Sequence, residues 1–161
     1  MSTTSRETAT SETIFVTGFP GFLGTRLLPR LLRRSPTARA ACLVQPKFGA
    51  LAKERARALE TSDPSVAGRI ELVSGDLTSP GLGLADGDRV AARVTEIWHL
   101  AAVYDLSVAR DVGMRVNLDA TRALLEHCRT LAAPPKVVFT SSLAVFGGPL
   151  PDPVPDDAPL T

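Results

Sequence analysis

Apolar residues along this chain follow two alternating patterns. Short runs rich in β-branched and aromatic residues predict buried strands, and longer segments with apolar residues three or four positions apart predict helices. The predicted strands are Ile14–Val16, Ala40–Val44, Arg69–Ser74, Glu96–Leu100 and Lys136–Thr140. Strands that alternate with helices at this spacing predict a parallel sheet covered on both faces, which is a doubly wound α/β fold. The sheet is expected to be truncated after the fifth strand.

Helices are predicted between these strands. The first begins near Phe22, and Pro29 within it predicts a kink or an early end. A segment rich in Ala, Leu, Lys, Arg and Glu predicts a second helix over Phe48–Glu60. A short helix is predicted around Asp88–Val94, and apolar residues at three- and four-residue steps predict a long helix from Val108 or Asp111 to Thr130.

Three evenly spaced glycines, Gly18, Gly21 and Gly24, connect the first strand to the first helix. Strand, glycine turn and helix together form the unit that binds a dinucleotide pyrophosphate in Rossmann-like folds. In that unit Gly18 allows the tight turn, Gly21 lets the backbone approach the phosphates, and Gly24 lets the helix pack close to the strand. The unpaired N–H groups of the first helical turn add an anion site. An ordinary strand-to-helix turn is the alternative, but the flanking strand and helix favour cofactor binding.

The ligand of such a fold lies beyond the carboxyl ends of the strands. After the second strand stand Gln45 and Lys47, where an NAD-binding protein usually has Asp or Glu to hold the ribose hydroxyls. The absence of a carboxylate and the presence of a lysine slightly favour NADP over NAD as the cofactor. A solvated loop residue is the alternative interpretation of Lys47.

The remaining strand ends carry further candidate contacts. Asp76 can accept a hydrogen bond from the adenine amino group, with Leu77 against the ring, or it is only a turn residue. Ala101 and Ala102 are small enough to let the cofactor pass across the sheet edge. Ser142 can hydrogen-bond a substrate carbonyl or alcohol beside the nicotinamide, or it only caps the strand end.

Two other polar residues are expected to have structural roles. His99 fits a satisfied core histidine and is not assigned catalysis. Asn117 lies where its side chain could tie the long helix to the neighbouring loop. No spacing of histidine, cysteine and carboxylate indicates a metal site.

Five motifs occur in order along the chain: TGFPGFLG (Thr17–Gly24), GDL (Gly75–Leu77), HLAA (His99–Ala102), the pair Val116–Asn117, and TSSLAVFG (Thr140–Gly147). Together they resemble the extended short-chain dehydrogenase/reductase superfamily, which includes NAD-dependent epimerases, dehydratases and thioester reductases. Within this resemblance, the segment Gly49–Leu106 is similar to acyl or thioester reductases. The segment Asn117–Leu160 is similar to the D-erythronate dehydrogenases.

The resemblance implies an NAD(P)-dependent oxidoreductase that acts on an alcohol or carbonyl, such as a sugar acid, a sugar nucleotide or an acyl thioester. By position it implies a catalytic role for Ser142. It also implies cofactor contacts at the phosphate turn, the adenine site and the sheet edge, which are Gly18, Gly21, Phe22, Leu23, Gly24, Asp76, Leu77, Ala101 and Ala102.

The catalytic Tyr-x-x-x-Lys pair of that superfamily has no counterpart in this sequence. The tyrosine of the pair is a general acid/base, and the lysine lowers its pKa and holds the ribose. The only tyrosine here is Tyr104, and Val108 stands four positions later. The family spacing places the pair just past Thr161, so the chain is expected to be truncated before it. A dinucleotide-binding module without catalysis, or a fragment, is therefore the alternative function.

Composition narrows the class of partner. A net charge of +1 offers no field to attract nucleic acid or an anionic membrane, so a small-molecule substrate is the expected partner. An apolar edge at the fifth strand leaves a homo-oligomer open. Two cysteines in predicted strands or helices and the absence of an apolar leader predict a reducing compartment, the cytoplasm.

The expected domains are a disordered tail (1–12), the NAD(P)-binding domain (13–148) and a proline-rich extended segment (149–161).

Overall fold

A single parallel sheet organises the molecule. The computed structural model describes residues 12–84, 93–105, 107–131 and 133–142 of the 161-residue chain. In this part of the chain the strands lie in the order β3-β2-β1-β4-β5, and every neighbouring pair is parallel. The strands are β1 (Thr13–Thr17), β2 (Arg39–Val44), β3 (Ile70–Ser74), β4 (Val94–His99) and β5 (Lys136–Phe139). The predicted doubly wound, Rossmann-like fold is therefore confirmed.

In the described ranges, helices lie between β1 and β2, between β2 and β3, and between β4 and β5. They are α1 (Phe22–Arg34), α2 (Gly49–Ser62), α3 (Arg110–Gly113) and α4 (Ala120–Thr130). A π-helical segment, Met114–Asp119, joins α3 directly to α4. Short 3₁₀ turns occupy Pro46–Phe48, Pro64–Val66 and Pro80–Gly83. The long helix predicted before β5 is thus present as three consecutive helical segments.

The two faces of the sheet carry separate hydrophobic cores because successive strand side chains point to opposite faces. On one face Ile14 and Val16 of β1 pack with buried leucines of α1 and alanines of α2. On the other face Phe15 packs with Ile97 of β4 and Leu124 of α4. Three layers result, and both faces of the sheet are covered as the strand pattern predicts.

Most predicted boundaries shift by one or two residues, and two of the differences have a clear physical cause. The strand expected from Glu96 begins at Val94, because this buried β-branched residue pairs with Thr13 at the start of β1. The early end considered for α1 at Pro29 is wrong, since the helix continues to Arg34. Leu31 and Leu32 are buried after the proline, and their burial offsets the hydrogen bond that the proline removes.

Some sequence predictions fall outside the described residues. They concern most of the tail 1–12, most of the short helix around Asp88–Val94, and the segment from 143 to 161.

Cys42 and Cys128 are within the described part and are buried free thiols. Burial raises the pKa of the Cys42 thiol to about 12, so this thiol stays protonated at neutral pH.

Arg69, just before β3, anchors the amino-terminal side of the sheet. Its Nε and Nη2 atoms donate to the Ser65 carbonyl at 3.0 and 2.7 Å. Its Nη1 atom lies 2.9–3.1 Å from four carbonyl oxygens at the end of α1 and in the turn before β2, those of Leu32, Ser35, Pro36 and Ala38. The guanidinium thereby satisfies carbonyls that a helix end leaves without partners.

We expect Arg69→Lys to lower the free energy of unfolding by about 1–3 kcal/mol, because an ammonium cannot reach both sets of carbonyls. Urea denaturation followed by circular dichroism measures the change. The matched control is Arg55→Lys on the exposed surface of α2, which should change stability by no more than about 0.5 kcal/mol. Equal stability of the two variants would contradict the anchoring role of Arg69.

Candidate functional site

A cleft of about 490 Å³ opens at the carboxyl ends of the strands. β2 and β3 lie on one side of β1, and β4 and β5 lie on the other. The cleft therefore occupies the point where the strand order reverses, which is the place where doubly wound folds bind ligands. Its volume lies within the range of about 300–1,000 Å³ that is usual for small-molecule and cofactor sites.

The glycine turn forms the floor of this cleft. Gly18 has a φ of +84°, in the region that favours glycine. A Cβ at this position would lie 2.7 Å from the carbonyl carbon of Leu100 and 2.8 Å from the nitrogen of Ala101. A Cβ at Gly21 would lie 2.7 Å from the carbonyl oxygen of Gly18, to which the Gly21 N–H donates at 2.9 Å. Both glycines are required by the shape of the turn itself.

The amino terminus of α1 begins directly at this turn. Gly21 is the N-cap residue, no side chain caps the helix there, and its first turn carries no acidic residue. The first N–H groups and the helix dipole are consequently available to an anion. This is the arrangement that pyrophosphate binding requires.

The other predicted turn residues occupy different positions. The side chains of Phe22 and Leu23 are 69% and 50% exposed and do not line the cleft. Any contact of these two residues with phosphate would therefore come from their backbone amides. Gly24 is buried, and a Cβ there would lie 2.9 Å from the Gly18 carbonyl oxygen, so this glycine keeps α1 close to the turn.

Asp76 and Lys47 bring opposite charges to the β2–β3 side of the cleft. The Asp76 Oδ1 atom accepts hydrogen bonds from the Thr78 N–H at 2.9 Å and the Thr78 hydroxyl at 2.8 Å. Burial raises the pKa of Asp76, but hydrogen bonds from Thr78 and Gln45 and the charge of Lys47 outweigh it, and the net pKa is lowered. Asp76 is thus an ionised turn residue that also lines the cleft, and its contact with the adenine amino group stays a prediction.

The opposite wall is the backbone that follows β4. Ala101, Ala102 and Val103 line the cleft there. Asn117, in the π-helical segment, holds this wall: its Nδ2 donates to the Val103 carbonyl at 2.7 Å, and its Oδ1 accepts from the Val103 N–H at 2.8 Å. The expected tie between the long helix and the neighbouring loop is confirmed.

Thr17, the last residue of β1, has a role that the sequence did not reveal. Its hydroxyl lies 2.7 Å from His99 Nδ1 and accepts hydrogen bonds from the N–H groups of Leu100 and Ala101, at 3.2 Å each. The signal in the sequence is modest: a hydroxyl at the carboxyl end of a strand, directly before the first turn glycine.

His99 is a satisfied core histidine, as predicted, with a relative exposure of 1%. Its Nε2 atom lies 2.9 Å from the Thr121 hydroxyl, which itself donates to the Asn117 carbonyl at 2.8 Å. Thr121 can therefore only accept from Nε2–H, which leaves Nδ1 to accept from Thr17. Burial lowers the pKa of His99 below its ordinary value, in agreement with this neutral tautomer.

Ser142, the predicted catalytic serine, lies three positions after the end of β5 and is exposed. It is at the carboxyl edge of the sheet but is not among the described residues that line the cleft. Its catalytic role stays a prediction.

The described residues hold no cluster of His, Cys, Asp and Glu that could bind a metal ion. None of the helices they form is long and apolar enough to cross a bilayer.

Strand order, glycine turn and cleft define the class of domain: a Rossmann-type dinucleotide-binding domain. Residues 16–158 match the family described as male sterility protein, and the chain belongs to this NAD-binding family of the extended short-chain dehydrogenase/reductase superfamily. The resemblance inferred from the five motifs is therefore confirmed.

Similar proteins include both dehydrogenases and reductases. The chain is 41% identical over 153 residues to D-erythronate dehydrogenase of Cupriavidus necator, covering 91% of this chain and 44% of that protein. It is 35% identical over 125 residues to the L-2-aminoadipate reductase large subunit of Penicillium chrysogenum, covering 70% of this chain and 9% of that protein. These matches span less than half of either relative.

Among solved structures, the terminal R domain of the myxalamid PKS-NRPS biosynthetic pathway matches with a TM-score of 0.75 and 31% identity, covering 96% of this chain and 40% of that one. This neighbour comes from the reductase group, whereas the relative with 41% identity is a dehydrogenase. The cofactor-binding fold is what the two groups share.

We expect Gly18→Ala to weaken dinucleotide binding at least about tenfold and to lower the melting temperature, because the methyl group would collide with backbone and strain a positive φ. Cofactor fluorescence titration and thermal melting measure both effects. Gly49→Ala at the start of α2 is the matched control, since a Cβ there meets nothing within 4 Å. An unchanged affinity in folded Gly18→Ala would mean that the turn does not shape the site.

Proposed function

We propose that this chain supplies the cofactor-binding part of an NAD(P)-dependent oxidoreductase that acts on an alcohol or carbonyl group. The observation that carries the proposal is the cleft at the strand reversal, with the glycine turn as its floor and an uncapped helix N-terminus beside it. A hydride would pass between the nicotinamide and the substrate, with the Ser142 hydroxyl holding the substrate oxygen.

The place of the dinucleotide within the cleft follows from the chemistry of its walls. The pyrophosphate fits the glycine turn at the N-terminus of α1, where N–H groups are available and no acid competes. The adenosine half fits the β2–β3 side, where Asp76 offers a carboxylate and Leu77 an apolar surface. The nicotinamide half then extends along Ala101 and Ala102 toward the end of β5. Nothing larger than a methyl group projects from that wall at these two positions.

The preferred cofactor in this proposal is NADP. Lys47 lines the cleft with its ammonium 5.0 Å from the centre of the Phe48 ring, and Gln45 lies next to it instead of an acidic residue. An adenosine 2′-phosphate at this rim would meet a cation, whose charge also helps to lower the pKa of Asp76 on the same side of the cleft. The preference is modest because one lysine at an exposed rim is screened by salt.

We expect the chain to bind NADPH at least as tightly as NADH, and Lys47→Gln to weaken NADPH binding severalfold while leaving NADH binding nearly unchanged. Fluorescence titration at low and high salt measures both affinities. Lys53→Gln, on the exposed surface of α2, is the control and should alter neither. Clearly tighter NADH binding by the unmodified chain would overturn the NADP assignment.

Two substrate classes have support. The 41% identity to D-erythronate dehydrogenase favours oxidation of a sugar-acid alcohol. The family match and the 31% identity to the myxalamid R domain favour reduction of an acyl thioester. The match to D-erythronate dehydrogenase has the higher identity and covers nearly the whole chain, so a sugar acid is the first candidate substrate.

Hydride transfer assays distinguish these classes. Reduction of NAD⁺ or NADP⁺ by an aldonic acid such as D-erythronate supports the first, and oxidation of NADPH by an acyl thioester supports the second; both are followed by cofactor absorbance. Cofactor binding with neither reaction would favour the alternative function, a dinucleotide-binding module without catalysis or a fragment that lacks the Tyr-x-x-x-Lys pair. Failure to bind either cofactor would reject the proposal itself.

A further inference from the structure

The wall of the cleft that follows β4 is held at both ends by side chains. At its start, the N–H groups of Leu100 and Ala101 donate to the Thr17 hydroxyl at 3.2 Å each. At its far end, both polar backbone groups of Val103 bond to the amide of Asn117. The backbone between these points lines the cleft, so its position sets the width of the site.

His99 links the two ends. Its Nδ1 atom accepts a hydrogen bond from the Thr17 hydroxyl at 2.7 Å, and its Nε2 atom lies 2.9 Å from the Thr121 hydroxyl, one helical turn after Asn117. The Thr17 oxygen has two lone pairs, and the two N–H groups occupy them while the Thr17 proton points to His99. A proton on Nδ1 would add a third donor to this oxygen, which has no lone pair left for it. The Leu100 N–H is shared with the Thr17 carbonyl at 3.3 Å, so the bond from Ala101 is the one that depends most on a ring that is neutral and protonated on Nε2.

We propose that Thr17 and His99 are positioning residues for the dinucleotide, and that cofactor binding weakens when His99 takes up a second proton. Neither side chain is assigned a contact with the reacting atoms. They act by fixing the backbone of Leu100 and Ala101 against the glycine turn, where a Cβ at Gly18 would lie 2.7 Å from Leu100. This inference rests on the proposed NAD(P)-binding function.

Protonation has a defined consequence because of what surrounds the ring. In the described part of the chain, its neighbours are the Thr17 hydroxyl from β1, the Thr121 hydroxyl from α4, and the Phe139 ring from β5, which stacks on it with centroids 5.7 Å apart. None of these groups carries charge to balance an imidazolium. A proton on Nδ1 would also turn that atom from acceptor into donor, and the Thr17 hydroxyl would have to rotate away from the ring.

The direction of the pH dependence follows from linkage. Burial holds the pKa of His99 in the fold below its ordinary value near 6.5, so the neutral ring predominates at neutral pH and is lost as the pH falls through that lowered pKa. If the cofactor binds the neutral form, its association constant falls on acidification by at most about tenfold per pH unit for one linked proton.

The test uses NADH, because the 2′-phosphate of NADPH has its own pKa near about 6 and would titrate in the same range. NADH affinity of the unmodified chain is measured by fluorescence between about pH 8 and about pH 5, directly after mixing, with circular dichroism to verify that the chain stays folded. We expect a progressive loss of affinity toward acid. His99→Asn keeps an acceptor for Thr17 but cannot titrate, so its affinity should be nearly constant across this range.

The chain contains only two histidines, so a matched control is available. His127→Gln should retain the pH dependence of the unmodified chain. Thr17→Val keeps the side-chain shape but removes the hydroxyl, and should weaken NADH binding about tenfold at the alkaline end with little further pH dependence. Thr17→Ser restores the hydroxyl and should restore both affinity and pH dependence.

The outcomes separate this inference from the function on which it rests. No binding of NADH or NADPH by the unmodified chain near pH 8 rejects the proposed function. Tight binding that does not change with pH, or an equal acid loss in His99→Asn, rejects the positioning role of His99 while leaving cofactor binding intact. If His99→Asn does not fold, Thr17→Val and Thr17→Ser still decide the matter, and equal affinities in these two variants overturn the proposal.

Discussion

The close approach of the glycine turn to the backbone after β4 is the contact on which the site depends. Space for a Cβ is missing at Gly18, where it would meet the carbonyl carbon of Leu100 at 2.7 Å. This contact brings together the loop that begins α1 and the wall that leads away from β4, although β1 and β4 are far apart in the sequence. The cleft exists between these two loops because the strand order reverses there.

The two ends of the sheet serve different purposes. The amino-terminal end carries interactions that are saturated within the protein: Arg69 bonds to several carbonyls, and buried Glu96 pairs with Arg34 and, at 3.5 Å, with Lys136. The carboxyl end combines glycines, small side chains and an uncapped helix N-terminus. Rigidity at one end and unused hydrogen-bonding capacity at the other suit a domain that holds a polar ligand on a fixed frame.

The two sides of the cleft also differ in the charge of their side chains. On the β2–β3 side, the side chains of Asp76 and Lys47 line the cleft near solvent, where the proposed binding mode places the polar adenosine half of the dinucleotide. Below the β4 wall, His99 is buried and neutral, and it works through hydrogen bonds whose direction depends on its tautomer. A charged group at the rim tolerates solvent and salt, whereas a second proton on a buried ring has nothing to balance it.

The sequence by itself determined the strands, the layers and the glycine turn, because each follows from local patterns. The alternation of Ile14, Phe15 and Val16 already assigns side chains to two faces, and the spacing of the glycines already indicates a turn into a helix. Tertiary structure decided where Pro29 is tolerated and where β4 begins, since burial of Leu31, Leu32 and Val94 outweighs local preference. It alone paired Thr17 with His99, 82 positions away, and Asn117 with Val103. Those hydrogen bonds depend on strand register and helix packing, which no local pattern of residues records.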